Sequence, residues 1–163
     1  MPALYKQGRL AKSIFGGWQL SGIFQARTGE PVSLSQTGAR QINRPDYNGG
    51  QVYFDNYRET LQYLNRSAFS LLPLNAVSRA PERGGNVGNG AIRTPGSVNL
   101  DFSIGKTVPI TEKAKIQIRA DMFNSLNHTN LNGLRTSLND AFFGQLLGTA
   151  GARVIQLNTR FSW

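Results

Sequence analysis

The sequence predicts an all-β chain whose antiparallel strands are long enough to cross a bilayer and carry one apolar and one polar face. Three observations point there. Segments at about 18–30, 98–108, 114–124 and 153–163 alternate apolar and polar residues, and a period of two is the signature of a strand. The connections between them are unequal: those over 31–97 and 126–152 are long, and 109–113 is short. The chain also closes on Arg160-Phe161-Ser162-Trp163. A soluble protein seldom leaves such an aromatic edge open, whereas a membrane strand can seat it at the lipid interface.

The first segment places Trp18, Leu20, Gly22, Phe24, Ala26 and Thr28 on one face and Gln19, Ser21, Ile23, Gln25 and Arg27 on the other. The second sets Val98, Leu100, Phe102, Ile104, Lys106 and Val108 against Asn99, Asp101, Ser103, Gly105 and Thr107. In the third, Ala114, Ile116, Ile118, Ala120 and Met122 alternate with Lys115, Gln117, Arg119, Asp121 and Phe123. The last alternates Ile155, Leu157, Thr159, Phe161 and Trp163 with Val154, Gln156, Asn158, Arg160 and Ser162. Each is close to the roughly 9–11 residues that a tilted strand needs to span a membrane.

These stripes nominate Trp18, Leu20, Phe24, Leu100, Phe102, Ile116, Ile118, Ile155, Leu157 and Phe161 as lipid-facing. They nominate Arg27, Asp101, Lys115, Arg119, Asp121 and Arg160 as lumen-facing. Charges on a lumen face can pair across strands. A tight turn after Val108 would bring Asp101 near Arg119 or Asp121. Pairing with Arg119 is the expectation, because like charges directly opposite are disfavoured.

Antiparallel strands put alternate connections at opposite ends, so both long loops share one end and the short turn the other. Outer-membrane barrels show this asymmetry, with short periplasmic turns and longer extracellular loops. On that basis the carboxylate of Trp163 is expected on the periplasmic side. A soluble sandwich would not require long connections at one end only, and long structureless loops are uncommon in compact domains.

Composition agrees. Apolar residues make up 39% and charged residues 17% of the 163 residues, both low for a soluble globular protein. No apolar run of about 18 residues exists to form a membrane helix, which leaves a barrel open. The chain has no Cys, which excludes disulfides and thiolate metal sites. The net charge of +9 is spread along the chain. It reads as solvated loops and a wet lumen rather than as a nucleic-acid surface. Met1-Pro2-Ala3-Leu4-Tyr5-Lys6-Gln7 lacks the basic and apolar regions of a secretory signal, so a fragment is expected, with its address upstream. The smallest barrels of this kind need about eight strands. Open sheet edges in lipid cost several kcal/mol per unsatisfied group, so further strands are expected to complete the wall.

Gly16-Gly17-Trp18-Gln19-Leu20-Ser21-Gly22-Ile23-Phe24-Gln25-Ala26-Arg27-Thr28-Gly29-Glu30-Pro31-Val32 resembles a late barrel strand of TonB-dependent receptors, particularly the Oar-like group. Asn99-Leu100-Asp101-Phe102-Ser103-Ile104-Gly105-Lys106 is similar, as is the run from Arg119 to Asn130. The ending is similar too, through Phe143-Gly144-Gln145, Gly151 to Leu157 and Arg160-Phe161-Ser162-Trp163. The resemblance covers nearly the whole chain in the family's order. It implies the last four strands of a large barrel of the plugged, 22-stranded type, carried to the outer membrane. The family's plug, which bears the TonB-contacting box, has no counterpart here, so TonB would be met only through the missing plug. Phe161 and Trp163 resemble the terminal signal read by the barrel-assembly machinery, although Trp163 departs from the commoner Phe and Thr159 interrupts the apolar alternation. The other partners implied are outer-membrane lipid, lipopolysaccharide, and the receptor's remaining strands and plug.

Little else suggests chemistry. His128 is the sole histidine, too few ligands for a metal site, and reads as a loop residue making local hydrogen bonds. Asn127-His128-Thr129 fits a glycosylation sequon, a triplet that also arises by chance. Arg83-Gly84-Gly85-Asn86-Val87-Gly88-Asn89-Gly90 lacks the Lys-Ser/Thr and the strand–helix context of a phosphate loop and reads as a flexible loop. Tyr47, Tyr53, Tyr57 and Arg58 are candidate ligand contacts in the long loop, since aromatic rings with Arg can stack on sugars or bases. Self-packing of that loop is the plainer alternative, and a short helix around Glu59 to Leu64 is expected within it. The nine acids are scattered, so no catalytic carboxylate pair is apparent. The expectation is a non-enzymatic transport protein without a cofactor and without a nucleic-acid partner. Its alternatives are an oligomeric barrel drawing four strands from each copy, or a soluble basic β-domain binding glycan or nucleic acid.

Overall fold

The computed structural model of the chain describes residues 14–38 and 41–163. Numbered in chain order, the strands are β1 Trp18–Arg27, β2 Pro31–Val32, β3 Gln36–Gly38, β4 Gln41–Asn43, β5 Asp46–Tyr47 and β6 Phe69–Ser70. They continue with β7 Ile92–Arg93, β8 Ser97–Pro109, β9 Lys115–Phe123, β10 Leu131–Leu134, β11 Leu146–Thr149 and β12 Val154–Ser162. The chain divides into two compact units: Met1–Ala26 with Val98–His128 and Gly151–Trp163, and Arg27–Ser97 with Thr129–Ala150.

The first unit holds one four-stranded sheet in the order β1-β8-β9-β12. β8 and β9 are antiparallel, with Phe102 opposite Met122, Ile104 opposite Ala120 and Val108 opposite Ile116. β9 and β12 continue the rows, with Ile155 opposite Met122, Leu157 opposite Ala120 and Phe161 opposite Ile116. β1 runs against β8: Thr107 N donates to Gly17 O at 2.9 Å, and Gly22 lies beside Asp101 and Phe102. Directly opposed residues share a face, so the apolar stripes fuse into one band and the polar stripes into another. The β8–β9 hairpin closes where Ile110 N and Thr111 N donate to Ala114 O at 2.8 and 3.0 Å.

The expected strand ends hold to within a residue or so, except in β1. That strand stops at Arg27 instead of running to 30, because Glu30 N turns away to donate to Thr94 Oγ1 at 2.9 Å.

The second unit is built from the two long connections, which fold into short ladders. Its ladders are β2–β7, β3–β4, β5–β6 and β10–β11. They surround a buried core of Leu34, Leu64, Ala68, Phe69, Val87, Ile92, Leu138 and Phe143. Leu138 and Phe143 come from the second connection and the rest from the first, so the two segments fold as one body. Backbone bonds stitch them together: Tyr63 N and Leu64 N donate to Gly144 O at 2.8 and 3.0 Å, and Leu146 N donates to Leu61 O at 2.9 Å. Gly144 has a φ of +80°, and a Cβ there would stand 2.5 Å from Leu64 O, so only glycine allows this approach. The buried Gln36 side chain acts like a strand backbone toward Leu72, donating to its O at 2.8 Å and accepting from its N at 2.7 Å.

The helix expected around Glu59 to Leu64 forms earlier, as a single turn at Tyr57–Thr60. Leu61, in a left-handed conformation, ends it.

Candidate functional site

Two assemblies carry chemistry, and each lies within one unit. The first is the polar face of the sheet. Asp121 sits opposite Ser103 and opposite Gln156. Ser103 Oγ donates to Asp121 Oδ1, Arg119 Nε donates to the same oxygen at 2.7 Å, and Asn158 Nδ2 donates to Oδ2 at 3.1 Å. Three strands thus meet on one carboxylate. Asp121, Ser103 and Arg119 line a shallow concavity with Ser21, Ile23, Asp101 and Phe123.

The expected Asp101–Arg119 pair does not form. Arg119 pairs instead with Asp121, two residues along its own strand. The register explains the difference. Ser103 opposes Asp121 and Gly105 opposes Arg119, so Asp101 lies roughly 13 Å along the strand from the Arg119 row. Gly105 leaves space beside Arg119, whose Nε also reaches Ser103 Oγ at 3.1 Å. Asp101 accepts from Asn99 Nδ2 and from Asn124 N, each at 2.9 Å. Lys115 and Arg160 share the polar face by register, and Arg27, at the end of β1, lines a recess of the second unit with Thr28, Glu30, Asn130 and Leu134. Composition marked the charged residues of the network; Ser103 and Asn158 went unmarked because only cross-strand register identifies them as partners of Asp121.

Asn124 is a second unforeseen element. It follows β9, has a φ of +48° and is 8% exposed. Its Nδ2 donates to His128 O and to Gly151 O, both at 3.1 Å, and its Oδ1 accepts from His128 N at 3.0 Å. The amide therefore clamps the turn after β9 to the segment entering β12. His128 takes part through its backbone. Among the described residues no cluster of three or more His, Cys, Asp or Glu side chains is placed to hold a metal.

The second assembly is aromatic and lies in the second unit. Tyr63 is its hub, 5.0 Å from both Tyr53 and Tyr57. Burial, with smaller contributions from Tyr53 and Tyr57, pushes the Tyr63 phenol up to about 12. The Arg58 guanidinium stands over the Tyr57 ring at 5.6 Å and donates to Thr129 O at 3.4 Å. Three of the four nominated loop residues, Tyr53, Tyr57 and Arg58, thus come together. Tyr47 lies apart, 6.0 Å from Phe69, and its hydroxyl donates to Gly50 O at 2.8 Å. Its ring borders a recess with Val52, Asn86, Val87 and Ile92.

The glycine-rich run beside that recess is packed, which corrects its reading as a flexible loop. Arg83 forms a two-pronged ion pair with Asp46, and the guanidinium holds the Asp46 carboxyl below the usual carboxylate range. Asn86 Oδ1 accepts from Tyr47 N at 2.6 Å, and Val87 is buried. Gly85 passes so close to Arg44 O and Pro45 O that a Cβ would stand about 2.1 Å away. The glycines here serve close packing.

An antiparallel sheet with one apolar band, one charge-paired polar face and all its long connections at one end is the wall of a membrane β-barrel. A protein-family model described as an outer membrane beta barrel domain matches residues 1–156. The chain belongs to that family and is an outer-membrane protein. No curated protein and no solved structure matches it.

Proposed function

We propose that the chain is one wall of a plugged transport barrel, a TonB-dependent receptor of the Oar-like group that carries a solute inward and performs no covalent chemistry. The observation that carries the reading is the contrast between the two faces of one sheet. One face aligns Leu20, Phe102, Ile104, Ile155 and Leu157; the other gathers Arg119, Asp121, Ser103 and Asn158 around a shared carboxylate. Buried charge networks are costly in lipid and suited to a wet lumen. The apolar band faces outer-membrane lipid, and Arg27, Asp101, Lys115, Arg119, Asp121 and Arg160 belong to the lumen side. Four strands do not close a barrel, so further strands complete the wall and a plug fills it.

In this reading the short turn and Trp163 are periplasmic, the barrel-assembly machinery reads Phe161 and Trp163, and TonB acts through the plug. The co-folded second unit supplies the extracellular face next to lipopolysaccharide. Tyr53, Tyr57 and Arg58 offer a solute a ring surface and a cation, and Tyr47 offers a second ring.

The test is uptake by cells carrying or lacking the gene, with a ferric chelate, cobalamin and an oligosaccharide as probes. Energy-coupled transport predicts gene-dependent depletion of one probe that a protonophore abolishes. Depletion that persists under the protonophore contradicts the reading.

A further inference from the structure

Lys106 is the one charged residue in the otherwise apolar stripe of β8, and Thr159 is a polar break in that of β12. The register places both in a single row: Lys106 opposes Ile118, and Ile118 opposes Thr159. Two independent interruptions at one level of the sheet mark a boundary in the surroundings.

The local structure at that level is built. The Lys106 ammonium lies 4.7 Å from the centroid of the Trp18 ring. It donates to Ile14 O at 2.8 Å and to Gly16 O. Trp18 Nε1 donates to the same Ile14 carbonyl at 2.9 Å. The side chain thus reaches toward the short-turn end, as a lysine does when it carries its charge from an apolar level to the headgroup level. Phe161 and Trp163, 5.5 Å apart, continue the aromatic girdle one row and two rows farther on, where such belts meet headgroups. The height agrees. Val98 to Lys106 spans roughly 26 Å along a strand. At a tilt of about 40° that is roughly 20 Å of membrane, near the edge of an apolar band about 25 Å tall.

We propose that Lys106, backed by Trp18, is a binding site for the phosphate of an anionic phospholipid in the leaflet on the short-turn side. An ammonium has three N–H donors. Two are satisfied by carbonyls that fix its position, which leaves the cationic charge available to an anion at the level where lipid phosphates lie. The carbonyls orient the cation without neutralising it, and the indole face adds attraction without competing for an anion. The inference rests on the apolar band facing lipid, as proposed above.

The experiment uses the full protein in vesicles of equal phosphatidylcholine and phosphatidylglycerol. A photo-crosslinking phenylalanine analogue replaces Ile118, which lies in the same row and is 50% exposed. The crosslinked lipid is then identified by mass spectrometry. We expect phosphatidylglycerol to be enriched at least about threefold over its bulk share, Lys106→Gln to return it to that share, and Lys106→Arg to retain the enrichment. Lys106→Arg preserves the cation and serves if the Gln variant fails to fold. A bulk lipid ratio with Lys106 present overturns the headgroup site and leaves the lipid-facing band standing. An absence of any lipid adduct overturns the band itself. Enrichment erased by millimolar inorganic phosphate assigns the site to soluble anions and overturns the lipid proposal.

Discussion

Phe143→Ala is expected to destabilise the second unit by about 3–5 kcal/mol, the range for removing a buried aromatic side chain. Phe143 is 3% exposed. It meets Phe69 edge-on with ring centroids 5.9 Å apart and lies 6.0 Å beneath the Arg66 guanidinium. Arg66 also donates to Leu138 O, so the ring is fixed on several sides and the cavity cannot easily collapse. The ring is also the main apolar tie, with Leu138, between two segments far apart in sequence. Its loss should let both open together. In limited proteolysis of the folded protein, cleavage within 31–97 and 129–150 should rise by roughly two to four orders of magnitude. The neighbouring Phe142, 54% exposed, provides the control: Phe142→Ala should stay within about 0.5 kcal/mol. Equal sensitivity in the two variants would mean that the loops do not share a core.

Asn124→Ala should cost about 3–4 kcal/mol. Three side-chain hydrogen bonds are lost, at roughly 1 kcal/mol each, and alanine is strained by about 1 kcal/mol at a left-handed φ. Asn124→Gly removes the same bonds but accepts the +48° backbone, so it should be milder than the alanine variant by about 1 kcal/mol. The comparison separates the clamp from the conformation. Guanidinium midpoints of the barrel in detergent, read by the loss of its heat-modifiable gel band, give the order wild type, Gly, Ala. An alanine variant as stable as wild type would show that the amide does not hold β9 to the entry of β12.

Much of the sheet was legible because its signal is strictly local. A period of two places Leu100, Phe102 and Ile104 on one face wherever the strand pairs. The antiparallel order and the hairpin at 109–113 follow from the connection lengths. Register was less accessible, since it depends on the geometry with which Ile110 and Thr111 close on Ala114. The Asp101–Arg119 expectation missed for that reason. Arg119 also had a same-face acid two residues away in Asp121, an arrangement as readable in the sequence as the cross-strand one.

The second unit was illegible for a different reason. Leu34, Leu64, Leu138 and Phe143 have no common spacing, and their ladders are two to four residues long. Nothing periodic distinguishes such a core from a polar loop. The aromatic residues around Tyr53 and Tyr57 were visible as composition, but only the fold shows that Tyr63 gathers them and that Tyr47 stands apart.

A barrel wall requires one sheet to have a lipid side and a water side. Adjacent residues of β12 test it most directly: Leu157, 77% exposed, is in the apolar band, and Gln156 is on the polar face. Arginine is introduced at each in turn, and stability of the barrel in lipid vesicles is measured by reversible guanidinium unfolding. Leu157→Arg should lose about 2–4 kcal/mol, the cost of arginine on a lipid-facing strand near the midplane, while Gln156→Arg should change stability by less than about 1 kcal/mol. Equal tolerance at both positions, or a greater loss at Gln156, would contradict the assignment of faces.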